Sequence, residues 1–158
     1  TGCKGKPDMP QVDFYHLTKS ELPDALVLLI EKSRQAGRKA LIHCPRPAAE
    51  AIDDDLWTRE PDSWLPHGLD DGEGASHAVA WIVSEGKANP IAAEFLFLLH
   101  GAEREDMGSF ERVFNLFDGR SEAQVDQARA QWQAWRGMAG LEMRYFAQDD
   151  DGKWEQRA

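Results

Sequence analysis

The chain has 158 residues, with 28 acidic against 18 basic side chains and a net charge of −10. That balance opposes a broad attraction to nucleic-acid phosphate at physiological salt. The 42% hydrophobic content excludes disorder as the main state, and no apolar run reaches the roughly 20 residues of a spanning helix. The length suits one domain with one core. Residues 1–8, polar and containing Cys3, read as an upstream extension; residues 9–148 read as a single α/β domain, and residues 149–158 as a charged tail that frays. With no charged-then-apolar leader, the expected location is cytoplasmic.

In chain order, "VDFYHL" (12–17) alternates and is rich in aromatic and β-branched residues, which predicts a strand. "TKSELPDALVLLIEKSRQAGRK" predicts a helix with Ser20 as N-cap, Pro23 in the first turn, an apolar face of Leu22, Leu26, Leu29 and Ile30, and Gly37 as the stop. "KALIHC" (39–44) is a short continuous apolar run of the kind found in buried parallel strands, so strand, helix and strand read as a right-handed βαβ unit. A second short helix is expected over "RPAAEAIDDDLW", with Pro47 near its start. "LWTREPDSWLPHGL" (56–69) then places two of the six tryptophans, Trp57 and Trp64, in a segment with neither helical nor strand period.

"AVAWIV" (78–83) and "EFLFLL" (94–99) predict two more buried strands. "SFERVFNLFDG" fits both a helical stripe and a strand; its brevity, aromatic content and terminal Asp-Gly favour the strand. "SEAQVDQARAQWQAWRGMAG" (121–140) is the clearest helix, with Ser121 as N-cap and Gly140 as stop. Its core face is Ala128, Trp135 and Ala139, with Trp132 at the border. "LEMRYFAQ" (141–148) alternates as a final strand. Strands alternating with helices indicate a layered α/β domain with a largely parallel sheet.

The segment after the first strand, "TKSELP", has no glycine to let backbone amides approach a phosphate, and the chain has no G-x-G-x-x-G or Walker motif. "HCPRPAAE" (43–50) is close to the phosphate cradle of cysteine phosphatases, but its closing position is Glu50 rather than arginine. A carboxylate there repels phosphate and raises the thiol pKa, so Cys44 reads as a buried thiol. The five histidines are scattered without ligand spacing, and the "DDD" runs at 53–55 and 149–151 lack the glycine and distal glutamate of a calcium loop. No cofactor or metal is expected.

Read in order, "VDFYHL", "GRKALIHCP", "AIDDDLWTREPDSWLPHGL", "AVAWIV", "VFNLFDG" and "ARAQWQAWRGMAG" resemble the chi-subunit family of bacterial DNA polymerase III, in one register from about residue 12 to 147. The most specific part is "LWTREPDSWLPH", since a generic α/β domain has no reason to space Trp, Pro, Trp, Pro and His in this way. The resemblance implies a Rossmann-like three-layer sandwich with a largely parallel, mixed-edge sheet and no nucleotide-binding glycine loop. It also implies a non-catalytic adaptor that forms a heterodimer with the psi subunit and binds the acidic C-terminal tail of single-stranded DNA-binding protein, without touching nucleic acid or membrane itself.

Carried over by position, Trp57, Trp64, Leu65 and Pro66 match the segment that faces psi. Phe117, Val125, Arg129, Trp132, Gln133 and Arg136 match the surface that takes the tail. The stripe Val125, Arg129, Trp132, Arg136 follows i, i+4, i+7 and i+11 and offers guanidinium donors beside an apolar wall. This chain departs from some members at Val125 and Gln133, where they carry lysines; Arg120, in the preceding turn, is a candidate substitute for the missing charge. Two other readings stay open: a small phosphatase or nucleotide-using enzyme around Cys44, and an adaptor for a repair helicase using the Trp57/Trp64 surface.

Overall fold

The computed structural model describes residues 10–58, 67–69, 78–84, 89, 91–104, 106–138 and 140–158, with 56–58 and 67–69 described by their backbone. In chain order its elements are β1 (Gln11–Leu17), α1 (Leu22–Gln35), β2 (Ala40–His43), α2 (Arg46–Thr58), β3 (His67–Leu69), β4 (Ala80–Val83), β5 (Phe95–Leu99), β6 (Arg112–Asp118), α3 (Glu122–Trp135), β7 (Glu142–Gln148) and β8 (Trp154–Gln156). Among the described residues, eight strands form one sheet in the order β3-β4-β2-β5-β6-β1-β7-β8. Neighbours pair in parallel throughout, except that β8 runs antiparallel to β7. Among the same residues no helix is long and apolar enough to cross a membrane.

The apolar runs become strands buried on both faces because helices cover the sheet on each side. Tyr15, Leu17, Ile42, Phe97, Phe114 and Leu116 pack with Leu26 and Ile30 of α1 and with Ala49 and Ile52 of α2. Val12, Phe14, Leu41, Leu96, Leu98, Val113 and Phe117 lie in the other cluster, with Ala128 and Trp135 of α3. "SFERVFNLFDG" is therefore a strand: its alternate residues divide between two apolar layers, which a helix with one buried stripe cannot supply.

β1 and β2 run parallel in one sheet, as a βαβ unit requires, with β5 and β6 between them; a crossover helix sets the direction of the returning strand, not which strand it joins. Three expectations need correction. Ser20 does not cap α1, whose N-cap is Glu21. Ser20 is held instead by Gln148, whose Oε1 accepts from the amides of Thr18, Lys19 and Ser20 at 3.0, 2.9 and 3.0 Å while its Nε2 donates to Ser20 Oγ at 2.8 Å.

α3 ends at Trp135, ahead of Gly140, although Gly140 does take the positive φ of 89° that favours glycine. The tail does not fray. Asp149 Oδ1 accepts from the amides of Asp151 and Lys153, each at 2.9 Å, so the acidic run closes a turn. Trp154 then stands edge-on to Tyr15 at 4.9 Å between ring centroids.

Other local expectations hold. Pro23 sits in the first turn of α1, and Gly37 follows it at φ 76°. Ser121 Oγ accepts from the Gln124 amide at 3.3 Å, a cap that contributes about 1 kcal/mol. One feature without periodic signal anchors α3: buried Gln131 accepts at Oε1 from Asn115 Nδ2 of β6 at 2.8 Å and donates to the carbonyls of Gly101 and Ala102, each at 3.3 Å. Because both amides are out of water, their bonds fix how α3 sits along β6.

Candidate functional site

α3 lies across β6, and beyond it the sheet continues through β1 and β7 to its edge. Between the helix and this half of the sheet is a cavity of about 290 Å³, lined by Phe117 of β6, Val125, Ala128, Arg129, Trp132 and Gln133 of α3, Tyr145 of β7, and Ala158. Its helical residues fall at the spacing that puts them on one side of α3. Trp132 is half-buried and stands nearly perpendicular to Phe14 at 5.3 Å and to Tyr145 at 5.7 Å between ring centroids, edge-to-face geometry that favours a fixed rather than a swinging indole.

Behind the lining, His16 Nδ1 is hydrogen-bonded to the Tyr145 hydroxyl at 2.6 Å, and the imidazole packs on Phe117 at 4.9 Å. Burial, then the guanidinium groups of Arg129 and Arg157, hold His16 below its ordinary value of 6.5, against the opposing pull of Asp118. Burial also pushes the Tyr145 hydroxyl up, while the same two arginines pull it down. At neutral pH both groups are therefore uncharged. The cavity combines aromatic and aliphatic walls with the exposed Arg129. It suits an apolar side chain next to a negative charge.

The structure brings Phe117, Val125, Arg129, Trp132 and Gln133 together at this cavity; Arg136 is not among its lining residues and forms the C-cap of α3. Tyr145 and Ala158 also line it and were not anticipated. Arg120 is turned away from the substitute role considered for it: its Nε donates to Asp118 Oδ1 at 2.9 Å and its Nη2 to the Ser20 carbonyl at 2.9 Å. Trp57 falls in the last turn of α2, where only the backbone is described, and Trp64, Leu65 and Pro66 lie outside the described residues. Cys44 has no exposed surface and packs in the core with Ile42, Ala49 and Ile52. A nucleophilic thiolate needs access and positive surroundings, so this burial counts against an enzyme built on Cys44.

Layers, strand order and helix placement define a parallel α/β sandwich whose open cavity lies to one side of the sheet, under its last helix. The family model described as "DNA polymerase III chi subunit, HolC" matches residues 9–144. The chain is also similar to DNA polymerase III subunit chi of Haemophilus influenzae, 30% identical over 125 residues that make up 76% of this chain and 81% of that one. The chain belongs to the DNA polymerase III chi-subunit family, accessory subunits of a replicative DNA polymerase.

Proposed function

We propose that the chain is a non-catalytic adaptor of the polymerase III holoenzyme, binding the psi subunit through the segment around Trp57, Trp64, Leu65 and Pro66 and the acidic C-terminal tail of single-stranded DNA-binding protein through the cavity beside α3. The observation that carries this reading is the cavity itself, in which Phe117, Val125, Trp132 and Tyr145 form apolar walls and Arg129 stands among them. An aromatic side chain fits such walls, and its neighbouring carboxylates fit the guanidinium. The net charge of −10 suits a protein that reaches DNA through a partner rather than by phosphate contact.

Charge-assisted hydrogen bonds contribute about 1.5 to 3 kcal/mol when well formed, so Arg129→Ala is expected to weaken the tail peptide roughly tenfold. Titration of a labelled peptide against wild type and variant at several salt concentrations measures this. With neutral Val125 and Gln133 on the helix, the salt dependence should be shallow, of about two or three ion contacts. Equal affinities would place the tail elsewhere.

The psi surface has its own test. Large aromatic side chains dominate protein interfaces, so Trp64→Ala should weaken psi association at least about tenfold and leave the thermal midpoint nearly unchanged. A large fall in thermal stability with psi binding intact would make Trp64 a core residue instead.

A further inference from the structure

The family match ends at residue 144, yet the chain continues from there into the end of β7, a turn and β8. β8 pairs with β7 through Phe146 opposite Gln156 and Gln148 opposite Trp154. The pairing extends one residue further: the Arg157 amide donates to the Tyr145 carbonyl at 2.7 Å, and the Tyr145 amide donates to the Ala158 carbonyl at 3.2 Å. Residues opposite one another on paired strands project from the same face of a sheet. Phe146 and Trp154 pack with the α1/α2 layer and Tyr145 with the α3 layer, so Arg157, opposite Tyr145, is on the α3 side. Ala158 then reaches the cavity and lines it.

We infer that this C-terminal segment completes the cavity as a wall on the sheet-edge side of Tyr145, and that Arg157 is a second guanidinium ligand for an acidic peptide held there. The inference rests on the reading of the cavity as a peptide site and adds a binding residue from beyond the family match. Val125 and Gln133 leave the helical wall with Arg129 as its cation, so a peptide with several carboxylates calls for positive charge from another element. The field of Arg157 falls where Arg129's does, since both act on Tyr145 in the lining and on His16 behind it. The ion pair of Arg157 with Glu155, at 3.7 Å, joins two side chains about half exposed, at 54% and 49%. Such a pair is weak and yields readily to a carboxylate of the peptide.

The test uses the full chain and a labelled peptide carrying several aspartates and a C-terminal phenylalanine. Arg157→Ala should weaken binding about fivefold, the upper end for an exposed charge pair, and Arg157→Glu, which adds a repulsion of similar size, about twentyfold. Arg157→Lys, which keeps the charge, should stay within about twofold. A control peptide with asparagine in place of aspartate should lose its dependence on position 157. Wild-type affinity in Arg157→Glu together with weakened binding in Arg129→Ala overturns the inference and leaves the cavity reading intact. Wild-type affinity in both overturns both. Equal loss in Arg157→Lys and Arg157→Glu, or equal loss for the control peptide, assigns the effect to packing of the strand and overturns the role of the charge.

Discussion

Asp13→Ala is expected to lower the free energy of unfolding by about 3 kcal/mol, measured by chemical denaturation. Asp13 has no exposed surface, yet it sits in the middle of the sheet on β1. Arg144 of β7, directly opposite it, donates from Nε to Oδ1 at 2.8 Å and from Nη2 to Oδ2 at 2.9 Å; Arg112 of β6 donates from Nη2 to Oδ2 at 2.6 Å. The carboxylate thus clamps both neighbours of β1. Removing one member of a buried ion pair costs about 3 to 5 kcal/mol because the other is left without compensation. Here the side chains of Arg112 and Arg144 are 33% and 29% exposed, so water relieves part of the cost and the lower end of that range applies. The rings that remain support the cations in part, since the Arg112 guanidinium lies 4.4 Å from the centre of Phe114 and that of Arg144 lies 5.0 Å from the centre of Phe146. A loss under about 1 kcal/mol would mean that these stacked arginines do not need the carboxylate.

Gly119→Ala is the second large effect, also about 3 kcal/mol, at the upper end of the range for overpacking. A methyl group at this position would land on the His16 ring and 2.7 Å from the carbonyl oxygen of Leu17. The same carbonyl accepts from the Gly119 amide at 2.7 Å, so the backbone on that side cannot retreat without breaking the link between the turn and β1. His16 in turn is bound to Tyr145 and packed on Phe117. Pushing it aside disturbs two walls of the cavity, and weaker binding of the acidic peptide should accompany the lost stability. Combining the change with His16→Ala removes the ring that the methyl group strikes, so the double variant should lose less than the sum of the two single losses. Strict additivity would sink the proposed collision.

The sheet was legible wherever a run of apolar residues is buried on both faces, as in "ALIH", "AWIV" and "FLFLL", and α3 was legible from its cap and stripe. What escaped depends on partners distant in sequence. Gln148 binds the backbone at 18–20 and Gln131 binds Asn115, and nothing local marks a glutamine for burial. β3, three residues long, is too short to show a period. β8 is hidden because "DDDG" looks like a solvated charge run until Asp149 is seen closing a turn. That 125, 129 and 132 share one side of the helix followed from their spacing, whereas their assignment to a binding surface, together with Gln133 and Phe117, came from the family resemblance. Tyr145 and Ala158 depend on which strands pair at the sheet edge, which no spacing in the sequence reveals. Arg136 continues the stripe in angle, but the helix has ended by then and the lining stops at Gln133.

The short antiparallel strand at the end of the sheet has a consequence for how this protein behaves in a crowded solution. An unpaired strand is a template: its open amides and carbonyls accept a strand from any passing chain and let identical molecules zip together. β7 would offer such a row from Tyr145 to Gln148, flanked by the aromatic rings of Tyr15 and Phe146, were it not already paired. β8 occupies that row with three residues, and the residues around it carry Asp149, Asp150, Asp151, Lys153, Glu155 and Arg157. The sheet therefore ends here in a brief strand flanked by charged residues, a poor seed for joining one copy of the chain to the next.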